Sequence, residues 1–175
     1  MSTIYNLDSA NLFTGDDDPD HSQYLVINTI KFPPLEEETK EFKPGGGVIN
    51  IEIGQKSIKA LTLGFKLFGF QPRVMNNFMD GKQHYTIRGN LLDVKTQEDL
   101  KVVCVVHGRM VKVDLGDFKK GDGTETDYEI KEITKYKLHV DGDEKFYFDF
   151  FAGPAGARVN GKKIFRRASR NLGLV

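Results

Sequence analysis

The sequence predicts a mainly β protein, an antiparallel β-barrel or sandwich carrying one short α-helix. Three observations carry that expectation. Apolar and polar residues alternate with period two over several long stretches, the mark of strands with one buried face. Turn signals such as Asp141-Gly142 and Asn160-Gly161 separate those stretches. Helical spacing shows only over residues 72–79, where Pro72 opens the segment, Val74, Met75, Phe78 and Met79 recur, and Gly81 follows.

The elements follow in order. Residues 1–22 are polar and acidic, and Asp16-Asp17-Asp18-Pro19-Asp20 interrupts any regular structure there. Residues 24–32 alternate as a strand, which Pro33-Pro34 stops. Residues 31–47 then read as a long charged loop closed by Pro44-Gly45-Gly46-Gly47, and loops of that length are usually functional or disordered. Strands are expected over 48–53 and 58–68, joined by Gly54-Gln55-Lys56. The second is two-faced: Leu61, Leu63, Phe65 and Leu67 point one way, Ala60, Thr62, Gly64 and Lys66 the other. Further strands are expected over 84–92, 100–115 and 125–140. The last carries Tyr128, Ile130, Tyr136 and Leu138 on one face and Glu125, Asp127, Glu129, Lys131, Lys135 and Lys137 on the other. Asp141-Gly142 turns the chain into a strand with Phe146, Phe148 and Phe150, and Asn160-Gly161 turns a short strand holding Val159. Strands near sixteen residues far exceed the usual length of about 5–6, and their edges stay open unless another copy covers them.

The 175 residues fit one domain, 1–175, which buries roughly 70% of its unfolded surface without needing a disulfide or metal. Lys plus Arg (25) equals Asp plus Glu (25), so the net charge is zero. That balance argues against a dedicated nucleic-acid binder and leaves little repulsion between copies. The single cysteine, Cys104, sits in Val-Val-Cys-Val-Val and reads as a buried, inert thiol. With no basic leader ahead of an apolar run and no stretch of about 18 apolar residues, neither secretion nor membrane spanning is expected, and a soluble protein of a reducing cytoplasm is.

No constellation for chemistry emerges. His21, His84, His107 and His139 are not at metal-ligand spacing. Asp16, Asp18 and Asp20 imitate the opening of a calcium loop, but His21 and Ile27 stand where glycine and glutamate are required. Gly45-Gly46-Gly47 lacks the Gly-Lys-Ser/Thr ending of a phosphate loop and precedes a strand. The acidic set Asp117, Asp122, Glu125 and Asp127 reads as solvated turn and strand surface. The basic tail of Lys162, Lys163, Arg166, Arg167 and Arg170 has only Phe165 interleaved, which suits a solvated or intersubunit face better than nucleic acid. No catalysis and no cofactor are expected.

Ordered along the chain are Asn11-Leu12-Phe13; Phe32-Pro33-Pro34-Leu35 with Thr39, Phe42 and Gly45-Gly46; Gly108-Arg109; Gly116-Asp117-Phe118-Lys119; Gly121-Asp122; Tyr136-Lys137-Leu138; Asp141-Gly142; Val159-Asn160-Gly161; and Asn171-Leu172-Gly173-Leu174. This series resembles the major tail tube protein of contractile-tailed phages and R-type pyocins. It departs from the family pattern in the acidic insert after Gly15 and in Lys162-Lys163 after the Asn-Gly turn. The resemblance implies a structural subunit forming stacked homohexameric rings, the inner tube of a contractile phage tail or tailocin assembled in the bacterial host cytoplasm, which serves DNA passage or envelope puncture. The implied partners are further copies, the tail sheath protein, and baseplate and terminator proteins. DNA or a tape-measure protein is implied only as non-specific lumen cargo, and no membrane partner.

Elementary geometry fits this picture. If each copy gives four strands, spaced ~4.8 Å apart and tilted ~40°, six copies close a barrel of roughly 45–50 Å backbone diameter. Its lining should be small, polar or acidic so that cargo is not gripped. The lumen candidates are Ala60, Thr62, Gly64, Lys66, Glu125, Asp127 and Glu129. The 31–47 segment, with Pro33, Pro34, Leu35, Glu37, Lys40, Phe42, Gly45 and Gly46, is the candidate inter-ring loop, and deleting residues 37–43 should block growth. Asn160, Gly161, Arg166, Arg170, Leu172 and Leu174 are the subunit-interface candidates. The competing readings are a monomeric β-barrel binding a small ligand in an internal apolar pocket, and a tube subunit of a related contractile secretion system.

Overall fold

Two strands organise the molecule. In the computed structural model, which describes residues 2–15 and 18–174, β7 (Asp99–Asp114) and β8 (Glu125–Val140) each run sixteen residues. Both alternate: Val102, Cys104, Val106 and Met110 of β7 and Thr126, Tyr128, Ile130 and Tyr136 of β8 are buried. The remaining elements are β1 (Tyr5–Thr14), β2 (Ile27–Lys31), β3 (Glu37–Phe42), β4 (Ile51–Ile58), β5 (Leu63–Phe68), α1 (Pro72–Met75), β6 (Lys82–Asp93), β9 (Asp143–Asp149), β10 (Ala157–Val159), β11 (Lys162–Lys163) and α2 (Arg166–Asn171), with 3-10 turns at Pro19–His21 and Gly153–Gly156.

The pairing makes two layers that share β7 and β8. One layer runs β1-β6-β7-β8-β9-β10-β11, with β6 reaching along β7 from Asp99 only as far as Arg109. The other runs β2-β5-β8-β7: β5 pairs the first part of β8 from Phe68↔Glu125 to Leu63↔Ile130, and that part of β8 pairs the last part of β7 through Met110↔Ile130 and Asp114↔Asp127. The long strands change layer where the register slips, between His107 and Arg109 and between Met110 and Lys112. Gly108 is required at that crossing, because a Cβ there would stand 2.9 Å from both Ile130 Cγ2 and the Lys131 carbonyl. Across from it Glu132 takes a positive φ of 52°, the bend in β8.

The core fills the space between the layers. Leu12, Leu63, Phe65, Leu67, Val74, Tyr85, Ile87, Cys104, Val106, Met110, Tyr128, Ile130 and Tyr136 form one buried cluster, and Phe65 stacks on Tyr128 with ring centres 5.0 Å apart. Cys104 is fully buried there. Burial pushes its thiol up to about 12, so it is an unreactive packing group. Asp141 and Gly142, like Asn160 and Gly161, take positive φ at both central turn positions, the geometry a two-residue hairpin needs.

Several expectations need correction. Residues 1–22 are not without regular structure, since β1 pairs β6 from Tyr5↔Asp93 to Thr14↔Tyr85. A register slip between Leu7 and Ser9 breaks its alternation, which hides the strand from a period-two reading. Asp16 and Asp17 of the acidic insert lie outside the described residues. The expected strand over 24–32 shortens to β2. The 31–47 segment is not a loop throughout, because β3 inside it pairs β4 from Glu37↔Ile58 to Phe42↔Ile51. Gly54-Gln55-Lys56 is accordingly no turn; it lies within β4 opposite another register slip, with Lys56 at φ 56°. Helical bonding in α1 stops at Met75, and a second helix, α2, closes the chain. Three of its six residues are arginine, and the six carry no apolar period to betray them.

Candidate functional site

The outward face of the β2-β5-β8-β7 layer gathers most of the lumen candidates. Gly64 lies opposite Glu129, Lys66 opposite Asp127 and Phe68 opposite Glu125. Lys66 Nζ is 3.5 Å from Asp127 Oδ1, and the Glu125 carboxylate accepts a hydrogen bond from Asn28 Nδ2. Register adds residues that the sequence alone did not bring into this set. Thr29 and Lys31 flank Lys66 and Gly64 from β2, while Lys112 and Asp114 flank Glu129 and Asp127 from β7. Together Lys31, Lys66 and Lys112 face Glu125, Asp127, Glu129 and Asp114, a nearly balanced surface of alternating charge. A shallow depression of about 340 Å³ runs across it, lined by Thr29, Lys31, Thr62, Gly64, Lys66 and Glu129 among others. Thr62 thus joins the face from just outside β5, whereas Ala60 is exposed beyond the strand. The pairing partners were not visible in the sequence because cross-strand register is a tertiary property.

Among the described residues both edges of this layer are open, and β2 pairs only β5. Beyond Met110, whose carbonyl accepts from Met79 N–H, the far edge of β7 has no strand partner among the described residues. Open edges of this kind template pairing with another chain.

The β3-β4 hairpin carries the inter-ring candidates Glu37, Lys40 and Phe42. All of β3 and all but the last residue of β4 are exposed. Its two faces differ sharply. Phe42, Ile51 and Ile53 form an apolar stripe on one, with Lys40 opposite Ile53, and Thr39, Glu41 and Glu52 lie on the other, where Thr39 Oγ1 donates to Glu52. Gly45 and Gly46 sit at the tip, where a side chain would meet only open space. Pro33 is buried at the base, Leu35 packs against the core and Pro34 is exposed. A lone two-stranded hairpin is marginal in water, and this one stands exposed on both faces.

The subunit-interface candidates collect at the other end of the chain. Asn160 and Gly161 turn β10 into β11. Ser169 Oγ donates to the Leu174 carbonyl and folds the tail back on α2. Arg166, Arg170 and Leu174 line a depression of about 180 Å³ with Lys163 and Ser169, and Leu172 stands exposed beside it.

Among the described residues no three His, Cys, Asp or Glu side chains converge as metal ligands, and no helix is long and apolar enough to cross a membrane. The fold does bring together two histidines that are distant in sequence. His84 and His107 face each other on β6 and β7, their rings stacked at 4.5 Å, with Thr134 Oγ1 3.3 Å from His107 Nδ1. Burial, then the nearby charges of His84, Lys82 and Lys135, hold the His107 pKa below its ordinary 6.5. Below that value the unfolded chain binds more protons than the folded one. Stability is therefore complete above about pH 6.5 and falls as pH drops through and below it. Thermal melts between about pH 7.5 and 5 should show this fall, and His107→Gln should remove part of it. An identical pH slope in the variant would show that the imidazole does not contribute.

A sequence model of the family described as phage tail tube protein FII matches residues 6–173. The chain belongs to that family. The tail tube protein of Escherichia phage P2 is 26% identical to it over 160 residues, covering 88% of this chain and 91% of the phage P2 protein. Among solved structures, the fold is similar to a chain of the PVC sheath/tube terminator structure of an extracellular contractile injection system in its extended state, with a TM-score of 0.55 at 12% identity over 79% of this chain and 98% of that one. It is also similar to a chain of the PVC sheath-tube complex (TM-score 0.52, 12% identity, 75% and 88% covered) and of the anti-feeding prophage baseplate (TM-score 0.51, 16% identity, 79% and 97% covered). At those identities the structures speak for the fold, while the family match makes this chain a tail tube structural subunit. The mainly β architecture expected for a tail tube protein is the one observed.

Proposed function

We propose that this tail tube protein joins edge to edge into closed hexameric rings that stack into the inner tube of a contractile tail. The observation that carries the reading is the four-stranded β2-β5-β8-β7 layer with open edges at β2 and β7. Pairing β2 of one copy with β7 of the next satisfies both edges at once and continues the sheet around the ring. Four strands per copy is the number for which six copies give a channel of roughly 45–50 Å backbone diameter. The nearly balanced face of Lys31, Lys66, Lys112, Asp114, Glu125, Asp127 and Glu129 then lines the channel, where it would pass DNA or a tape-measure protein without gripping it.

The β3-β4 hairpin supplies the contact between rings, burying its Phe42, Ile51 and Ile53 stripe against the neighbouring ring. Residues 1–175 act as one such domain, the extended segment 1–22 included. Sheath, baseplate and terminator proteins are the partners, in keeping with the sheath-tube, terminator and baseplate assemblies from which the structural neighbours come. The place of action is the virion tail, built in the host cytoplasm. The role is structural, without catalysis. A monomeric ligand-binding barrel would need an apolar hollow, and the space between these layers is filled by Leu63, Phe65, Tyr85, Met110 and Ile130.

Negative-stain electron microscopy of the purified protein over a range of concentrations tests the reading. Rings or stacked tubes with a central hole are expected. Monomers at every concentration, even with tail baseplates added as nuclei, would overturn it.

A further inference from the structure

Charge is distributed along this chain in a way its neutral total conceals. Residues 1–30 carry five aspartates and no lysine or arginine. Residues 162–175 carry five lysines and arginines and no acidic residue. None of those five cations has an ion-pair partner among the described residues.

The fold keeps the two groups apart within a copy and sets them at one level. One row of register partners runs across the larger layer from Thr14 to Tyr85, Val106, Tyr136, Phe148 and Ala157, and the Ala157 carbonyl then accepts from Ile164 N–H. Six antiparallel steps separate β1 from β11, so the two strands run parallel and leave the sheet at the same end. β1 leaves into the turn bearing Asp18 and Asp20, and β11 leaves into α2 with Arg166 and Arg170. At ~4.8 Å per step the path across the sheet from β1 to β11 is about 29 Å, and no ion pair joins the two charged groups among the described residues. Each charged group also has an exposed apolar rim. Tyr24 (65% exposed) and Leu25 (77%) follow the acidic turn, and Leu172 (66%) and Leu174 (47%) border the basic depression.

We infer that the acidic β1 edge of one copy docks on the basic β11-α2 edge of the next. Asp18 and Asp20 meet Lys163, Arg166 and Arg170, and Tyr24 and Leu25 pack on Leu172 and Leu174. The inference rests on the edge-to-edge ring proposed above and names a second contact in it. It is consistent with β2 to β7 pairing, because the bridge between Phe13 and Ser22 places the β1 edge beside the approach to β2. A head-to-tail contact between two different surfaces, repeated by rotation, is what closes a ring. The occupant is a second copy because the chain itself supplies the matching charge at the matching height.

Sedimentation velocity from about 50 mM to 1 M salt tests this on three variants: Lys163→Glu with Arg166→Glu and Arg170→Glu, Asp18→Lys with Asp20→Lys, and the five changes together. All five positions are exposed, and melts of each variant check that the fold persists. Wild-type association should weaken with salt, and either set alone should weaken it about tenfold or more at low salt. The five changes together, or an equimolar mixture of the two partial variants, should restore it. Unchanged association in the partial variants, failure of both restorations, or monomers throughout would overturn the inference. So would binding of DNA by the wild-type patch with no restoration by charge exchange, which would assign the patch to nucleic acid. Tubes that form normally from the partial variants would remove this contact while leaving the tube reading intact; absence of tubes from the wild type would count against the tube itself.

Discussion

A subunit whose hairpin is excised, with Glu36 joined to Lys59 by a short glycine-serine linker, is expected to melt within about 2 °C of the intact protein and to grow no tubes. The excision is geometrically mild. Lys59 N–H already donates to the Glu36 carbonyl at 2.9 Å, so the cut ends are neighbours. It is also mild in packing, since the hairpin contributes no residue to the buried core cluster. Exposure of Phe42, Ile51 and Ile53 serves nothing in a lone subunit and costs solubility, so its removal should separate folding from growth. Isolated rings seen by electron microscopy, without stacks, are the expected product. Tubes of ordinary length would show that stacking lies elsewhere. The narrower deletion of residues 37–43 is the poorer experiment, because it removes β3 and leaves β4 an unpaired strand with apolar side chains in water.

Ile130→Ala should be the most damaging single core change, costing about 2–5 kcal/mol and lowering the melting temperature by roughly 5–15 °C. Ile130 is fully buried. It is the register partner of both Leu63 on β5 and Met110 on β7, and its Cγ2 caps the space a side chain at Gly108 would take. A cavity there opens where both layers meet and no single side chain can collapse into it. Ile53→Ala on the exposed hairpin is the matched control and should leave the melt unchanged. Equal melting temperatures for the two variants would contradict the placement of Ile130 at the centre of the core.

What was legible in the sequence follows from the range of the signals. β7 and β8 alternate locally, so their bounds and inward faces could be read directly, and Asp141-Gly142 and Asn160-Gly161 announced their own turns. β1 escaped because the slip after Leu7 shifts its phase and its first half is exposed on both faces. β3 escaped, and of β4 only residues 51–53 fell inside the expected 48–53 strand, because the two strands face water on both sides and burial is what writes a period-two pattern. On the site face, Gly64, Lys66, Asp127 and Glu129 were visible as the polar halves of two-faced strands. Thr29, Lys31, Lys112 and Asp114 were not, since only pairing between distant strands brings them alongside. The opposed charges of the two chain ends were visible as composition, but only the parity of six antiparallel steps places them at one height.

The passage of β7 and β8 from one layer to the other has a mechanical consequence. Most sandwiches transmit load between their sheets through side-chain contacts, which slide and repack. Here two continuous backbones cross the gap, so a shear applied to one layer reaches the other through peptide bonds and hydrogen-bonded ladders. A rod assembled from such units would resist torsion and compression along its length with little internal slippage.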